Sequence, residues 1–224
     1  MNLYILVEGQ QTERKLYPAW LSHLSPKMKK VDAISQMTEN CFFLISGEGY
    51  PRLLDVALIN TLKDLNENKF ISNLWVVLDA DDKSVEERRE QVFERVRAAG
   101  IDISHCKIDV IVQKTCIETW GLGNKIIISP NKLSAEFNEF LSYYNVQDED
   151  PELMGKPDRH KGSIAHYHEC YLRAMLKLRN ATYQKKNPIA LMEPAYLAQL
   201  EARVKEGRSH LPSFEYFLSL AKGL

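Results

Sequence analysis

The chain has 224 residues, of which 45% are hydrophobic and 26% are charged. This length allows one sizeable domain, or a domain with an appended lobe, and the composition excludes an intrinsically disordered chain. The formal net charge of −1 neither favours nor excludes a nucleic-acid partner. The apolar N-terminal run Leu3–Val7 is too short for a signal peptide or a membrane span, so we predict a cytoplasmic protein with no membrane partner.

Charged residues are distributed unevenly along the chain. Residues 156–224 contain 12 Lys+Arg and 6 Asp+Glu, whereas residues 1–155 carry a net charge of −7. A metal-binding sheet joined to a lobe that binds a polyanion would show this asymmetry, and so would chance scatter of surface charge.

The cysteines form no CxxC pair, so we predict buried free thiols rather than a zinc site or disulfides at Cys41, Cys106, Cys116 and Cys170.

The first half of the chain alternates between apolar strands and amphipathic helices. The predicted strands are Leu3–Val7, Cys41–Ile45, Leu74–Leu78 and Ile108–Val112, with a further short strand considered near Val31–Ile34. The predicted helices run from about Thr12 to Leu24, from about Pro51 to Asn66, and from Val85 to Ala99. This alternation predicts an α/β fold with a mostly parallel, four-stranded sheet and helices on both of its faces.

The pattern changes after Val112. The predicted elements there are a short helix Ile117–Leu122, a brief strand Ile126–Ile128, helices Lys132–Tyr144, Ser163–Ala181, Pro194–Gly207 and Ser213–Leu220, and an acidic linker Gln147–Pro151. The sequence therefore predicts a catalytic domain over residues 1–128 and a basic, helical C-terminal region over residues 129–224 that packs on it.

Carboxylates follow the predicted strands at the ends that a parallel sheet brings together. Glu8 follows the first strand, Asp79 and Asp81 follow the third, and Glu118 lies just past the fourth. Clustered carboxylates repel one another unless a cation offsets their charge, and oxygen ligands without a Cys/His set favour Mg²⁺ or Mn²⁺ over zinc. On an extended segment, Asp79 and Asp81 would also point to the same side.

Three motifs give the chain a family resemblance. LVEGQQTE at Leu6–Glu13, LDADD at Leu78–Asp82 and IETWGLGN at Ile117–Asn124 resemble, in this order, the signatures of Toprim domains, and most closely those of the small RloB-like and OLD-type Toprim nucleases of bacterial antiphage defence. The resemblance implies a Rossmann-like Toprim fold over about residues 1–124. It also implies that Glu8, Asp79 and Asp81 hold Mg²⁺ or Mn²⁺ for phosphodiester chemistry. Glu13 and Glu118 match the two further glutamates.

The resemblance also implies a catalytic lysine and a partner. Lys161 is the candidate for the later lysine of OLD nucleases, with Lys114 and Lys125 as competitors. Glu8 and Glu13 are five positions apart, a spacing nearer the RloB-like pattern than the OLD pattern. The chain has no trace of the ABC-type ATPase of full OLD proteins, so an ABC-type or SMC-like ATPase sensor is expected as a separate, nearby-encoded chain. A homodimer stays open.

Each of these residues also has an ordinary structural interpretation. Asp79 and Asp81 could form a turn, Asp82 suits a turn better than a metal site, and Glu118 could lie on the surface. Glu13 could favour a helix N-terminus through the helix dipole. For the histidines, packing or substrate contact is preferred to metal binding at His160, His166 and His168. The basic residues could form a solvated surface or bind phosphates, with Arg159, Lys161, Arg173 and Lys177 as the main nucleic-acid-binding candidates beside Arg179, Lys185 and Lys186.

These observations predict a metal-dependent endonuclease that acts on DNA or RNA, including tRNA as a candidate, and serves as the effector of an antiphage system with a sensor ATPase. Two alternatives remain. One is a catalytically silent, Toprim-like binding or regulatory subunit of an ATPase complex, and the other is a phosphohydrolase that processes nucleotides.

Overall fold

A computed structural model describes residues 1–128, 133–207 and 209–224 of the chain. Lys132, the predicted start of a helix, lies outside these residues. No described helix is both long enough and apolar enough to cross a membrane.

The sheet has five parallel strands rather than the predicted four. Their bounds are Leu3–Val7 (β1), Lys29–Val31 (β2), Cys41–Ser46 (β3), Asn73–Asp79 (β4) and Lys107–Gln113 (β5), and their order in the sheet is β2-β3-β1-β4-β5. The additional strand, β2, is a three-residue edge strand with the sequence KKV, which pairs with Cys41–Phe43. It is too short and too polar for hydrophobic periodicity to identify it with certainty.

The described residues contain nine α-helices. Their bounds are Thr12–Leu24 (α1), Leu58–Glu67 (α2), Val85–Ala99 (α3), Ile117–Gly121 (α4), Ala135–Tyr143 (α5), Ile164–Lys177 (α6), Ile189–Met192 (α7), Pro194–Lys205 (α8) and Pro212–Lys222 (α9). A π-helical turn over Leu53–Ala57 leads directly into α2. The predicted α/β alternation of the first half is thereby confirmed.

The chain divides into two compact units. The first comprises residues 1–78, 83–112 and 219–224, and the second comprises residues 79–82 and 113–218. Within the first unit, all residues of β1 and residues Leu74–Leu78 of β4 are buried, as expected of central strands covered on both faces. Ser84 and Glu87 form a capping box at the start of α3, and Gly100 ends that helix with a φ of 61°. The division into domains at residue 128 stays a prediction.

The second unit is helical, with an aromatic core. The Trp120 ring lies 5.2 Å from Phe214 and 5.8 Å from Phe217, and its indole N–H donates to Ser213 Oγ at 2.8 Å. Phe140 stacks on Tyr171 at 4.8 Å. Trp120, Tyr171, Phe214 and Phe217 are all fully buried, and burial of such apolar area is the main favourable contribution to folding.

One prediction for the second half is wrong. Residues 126–128 are not a strand, because a 3₁₀ helix covers Lys125–Ile127. The segment Gln147–Pro151 connects α5 to a 3₁₀ helix at Pro151–Leu153, and within it Asp150 is buried and its Oδ1 accepts a hydrogen bond from the Leu211 N–H at 3.0 Å. All four cysteines are free; three are buried as predicted, and Cys170 is half-buried.

Candidate functional site

Two glutamates of the first unit follow the carboxyl end of β1: Glu8 comes directly after the strand, and Glu13 lies at the start of α1. The Glu8 N–H donates to the Val77 carbonyl at 2.9 Å, and its own carbonyl accepts from the Gly49 N–H at 2.9 Å. Glu13 lies in the first turn of α1 and is only 6% exposed. A Cβ atom at Gly9 would overlap the Glu13 carboxylate, so the absence of a side chain at Gly9 allows this carboxylate to lie against the backbone. Glu13 is therefore a fixed, buried carboxylate rather than a solvated one.

The carboxyl end of β4 turns sharply at the acidic sequence Asp79–Asp82. Asp79 is the last residue of β4, and its Oδ1 atom is buried. Asp81 has a left-handed φ of 53°, is exposed, and donates its N–H to the Thr115 carbonyl at 3.0 Å. The expectation that Asp79 and Asp81 share one extended segment is therefore wrong, since the strand ends between them. Asp82 is exposed in the same turn.

Glu118 is a buried carboxylate of the second unit, not a surface residue. It lies on α4, is 1% exposed, and its Oε1 accepts a hydrogen bond from the Tyr183 hydroxyl at 2.7 Å. The Nζ atom of Lys185 lies 3.9 Å from the same oxygen and 3.7 Å from Glu169 Oε2. A tyrosine and a lysine more than sixty positions away in sequence thus converge on Glu118.

The charge of Asp79 influences the pKa values of Cys116 and Lys185, as the charge of Glu118 does. Burial is the main reason that the pKa of the Cys116 thiol is raised well above its ordinary value, and the charges of Glu118 and Asp79 raise it further. Burial would lower the pKa of Lys185, but Glu118, Glu169 and Asp79 together raise it above its ordinary value. The charges of Glu118, Glu169 and Asp79 therefore keep Lys185 in its ammonium form.

Sequence reasoning does not identify Lys185, because its only signal is membership of the basic C-terminal region. The lysine that the family resemblance favours, Lys161, is exposed and makes no hydrogen bond or ion pair with the described residues. Of its competitors, Lys125 is paired with Glu206, and the Lys114 N–H donates to Ser213 Oγ at 3.2 Å. Among these four lysines, it is Lys185 that forms an ion pair with Glu118.

Three of the four main predicted nucleic-acid-binding cations carry glutamate partners. Arg159 pairs with Glu139 at 3.0 Å and Lys177 pairs with Glu136 at 3.3 Å, while Arg173 pairs with Glu169 on the preceding turn of α6; these cations are 49% to 71% exposed. Exposed ion pairs of this kind contribute only about 0–1 kcal/mol, so a phosphate can replace the glutamate at little cost. Arg179 is different, because its guanidinium donates to the Ile126 and Ile127 carbonyls.

The three histidines singled out in the sequence, His160, His166 and His168, have separate roles. His168 is fully buried, with Nδ1 2.7 Å from Thr119 Oγ1 and Nε2 3.0 Å from the Met154 carbonyl. Because a carbonyl only accepts, Nε2 carries the proton and Nδ1 accepts from the Thr119 hydroxyl. His166 instead stacks on His160 at the surface. His168 is therefore a packing residue, in agreement with the preference for packing over metal binding.

The carboxylates suit magnesium in donor chemistry but do not form a closed cage. Across residues 1–128, 133–207 and 209–224, no group of three or more His, Cys, Asp or Glu side chains is arranged to hold a metal ion. Magnesium commonly keeps several waters and uses one or two carboxylates together with substrate phosphates. Asp79 and Glu118 offer only oxygen ligands, and Asp79 Oδ1 and the Glu118 side chain are buried, so the donor chemistry of these two carboxylates fits that limited share of ligands.

Comparisons of the chain with protein-family models, with curated protein sequences and with solved structures returned no match. The Toprim resemblance therefore stays a prediction that rests on the three sequence motifs.

Proposed function

We propose that the chain is a metal-dependent nuclease that cleaves phosphodiester bonds of DNA or RNA. The observation that supports this proposal is the buried Glu118, whose Oε1 lies 3.9 Å from the ammonium of Lys185, while Asp79, the last residue of β4, also raises the pKa of that lysine. The carboxyl ends of strands in open α/β sheets are where ligands commonly bind, and a cation and a hydrogen-bond donor both stabilise the charge that develops when a phosphodiester is cleaved.

Each residue has a distinct task in this proposal. Asp79 and Glu118 supply oxygen ligands, and the Tyr183 hydroxyl fixes the orientation of the Glu118 carboxylate through its hydrogen bond. The Lys185 side chain is 58% exposed, so its ammonium can donate to a non-bridging phosphate oxygen. Mg²⁺ or Mn²⁺, when bound, offsets negative charge on the phosphate and lowers the pKa of a water. Glu8 and Glu13 are the further candidates for ligand or base.

The test is cleavage by purified protein of plasmid, single-stranded DNA and total tRNA, with Mg²⁺, with Mn²⁺ and with EDTA. Cleavage should require the metal and should be lost in Asp79→Asn and Glu118→Gln. Lys185→Ala should lower the rate by about 10²-fold or more, as expected when a group that stabilises transition-state charge is removed. Lys161→Ala is the matched control, because Lys161 is an exposed lysine with no ion pair to the described residues.

Three results would overturn parts of the proposal. Cleavage that survives Asp79→Asn would remove Asp79 from the site. A Lys161→Ala loss as large as that of Lys185→Ala would restore Lys161 as the catalytic lysine. Hydrolysis of mononucleotides with all polymers left intact would favour the nucleotide-processing phosphohydrolase, and no hydrolysis of either would favour the binding subunit.

The Toprim resemblance extends the proposal to a role as an antiphage effector with a separate ATPase sensor. Cleavage should then increase when the ATPase encoded beside it is added. If cleavage is unchanged by that ATPase at saturating concentration, the proposed pairing is wrong, while the nuclease proposal is unaffected.

A further inference from the structure

A cleft in the second unit is lined by both aromatic and charged side chains. It has a volume of about 660 Å³, and its walls include Phe140, Tyr167 and His160 beside the charged side chains of Glu136, Glu139 and Arg159. Binding sites for small organic ligands typically occupy about 300–1,000 Å³ and combine an apolar lining with a few polar groups. This cleft combines the same two features.

The aromatic wall is pre-arranged by ring packing. The Tyr167 ring lies 5.3 Å from Phe140 and 5.1 Å from His160, and His160 in turn stacks on His166 at 5.1 Å. The His160 Nε2 and His166 Nδ1 atoms are 3.1 Å apart. A Cβ at Gly162 would overlap His166, so a glycine is needed where the two imidazoles meet. Tyr167 is only 5% exposed, so the half-buried Phe140 and His160 rings are the ones that a ligand can contact, and ring packing holds them in place before the ligand binds.

The charged side chains at the rim of the cleft can bind a phosphate and the amino group of a base. The Arg159 and Glu139 side chains are 71% and 68% exposed, and their ion pair at 3.0 Å is weak enough to exchange. Released from Glu139, Arg159 can bind a phosphate in a bidentate manner. A released Glu139, or Glu136, can accept hydrogen bonds from the exocyclic amino group of a base, as carboxylates do from cytosine.

We propose that this cleft binds an unstacked nucleobase bearing a phosphate, with preference for bases that carry an amino group. A base within a duplex is stacked on both faces and cannot enter, so the source is single-stranded nucleic acid or a free nucleotide. Where the source is single-stranded nucleic acid, the inference rests on the proposed nuclease function and narrows its substrate class.

Cys170 provides a direct readout of cleft occupancy. It lines the cleft and is half-buried, whereas Cys41, Cys106 and Cys116 are buried. The rate of its alkylation by iodoacetamide, followed by mass spectrometry, should fall several-fold when oligo(C) or cytidine monophosphate fills the cleft. Oligo(U), whose base has no amino group, should protect less at equal concentration. EDTA is present throughout, so cleavage cannot destroy the oligonucleotide.

Substitutions locate the binding. Arg159→Ala should raise the concentration needed for half-protection by about tenfold, which corresponds to the loss of one charged hydrogen bond. Arg97→Ala is the matched control, because Arg97 is an arginine of similar exposure, 62%, paired with Glu90 in the first unit. Protection by cytidine monophosphate but not by oligo(C) would identify a free nucleotide as the ligand.

Failure of this inference can be distinguished from failure of the nuclease proposal. Asp79→Asn should abolish cleavage and leave the protection of Cys170 unchanged. If neither oligo(C) nor cytidine monophosphate slows alkylation in a protein that cleaves polymers, the cleft proposal is wrong and the nuclease proposal stands. Protection in a protein that cleaves no polymer would support the cleft proposal and contradict the nuclease proposal. Equal protection by oligo(C) and oligo(U) overturns the role given to the carboxylates.

Discussion

Glu152 should make the stability of the second unit depend on pH. This carboxylate is 4% exposed and accepts hydrogen bonds from Ser213 Oγ at 2.7 Å and from the Ser213 N–H at 3.1 Å. Burial is the largest effect on its pKa and outweighs these hydrogen bonds, so that the pKa rises from 4.5 to about 7. The folded chain therefore binds this proton more tightly than the unfolded chain does.

The sign of the effect follows from this difference. Stabilisation by the bound proton is fully present below about pH 4.5 and is lost as the pH rises to about 7. A shift of this size corresponds to about 3 kcal/mol at about 1.4 kcal/mol per pH unit. Glu152→Gln keeps an oxygen acceptor for Ser213 but has no charge to bury. The free energy of unfolding of Glu152→Gln minus that of wild type should therefore be larger at pH 8 than at pH 5 by about 2.5 kcal/mol, the part of the shift that falls between these two pH values.

Urea titrations at pH 5 and pH 8 measure this difference. Comparing the two proteins at each pH cancels the titration of all other groups, which the wild-type slope alone would not do. Glu149→Gln is the control, because Glu149 is an exposed carboxylate of the same segment. If wild type and Glu152→Gln show the same change in unfolding free energy between pH 5 and pH 8, burial does not govern the charge of Glu152.

Three further substitutions and titrations test other parts of the structure. Burial lowers the pKa of His168 to about 4, so the stability that its neutral form contributes is lost as the pH falls from about 6.5 to about 4. In the folded chain the imidazole stays neutral over this range, so its NMR signals should not change between pH 8 and pH 5, and titration near 6.5 would contradict this. Gly9→Ala should destabilise the fold by about 1–3 kcal/mol or displace Glu13 and lower nuclease activity, whereas Gly223→Ala, with its nearest atom at 3.4 Å, should do neither. Arg203→Ala should cost about 3–5 kcal/mol in urea unfolding, since the guanidinium is buried and donates to the Val146 and Glu149 carbonyls; a cost as small as that of the exposed Lys205→Ala would refute this.

Local sequence patterns predict most elements of the sheet-bearing half. The apolar run at Leu74–Leu78 and the Ser84 and Gly100 caps identify β4 and α3 because strand burial and helix capping depend on neighbouring residues. The sequence predicts β2 only weakly, since a short polar edge strand is stabilised by pairing with β3 rather than by its own pattern.

Burial of polar groups in the second half is not predictable from local pattern. The sequence around Asp150 and Glu152 is acidic and proline-containing, which is typical of an exposed linker. Both carboxylates are nevertheless buried, because backbone N–H groups near Leu211 and Ser213 satisfy them from sixty residues away. Lys185 escapes prediction for the same reason, as its partner Glu118 is distant in sequence.

The assignment of Asp79–Asp82 to the second unit has a consequence for how the protein can be divided. The chain passes between the two units four times, and the first unit ends with the last six residues, 219–224. A fragment of residues 1–128 would retain both aspartates but would lack Tyr183, Lys185 and the C-terminal segment of the first unit. Activity restored by adding residues 129–224 in trans would therefore report reassembly of an interleaved chain, not the docking of two autonomous modules.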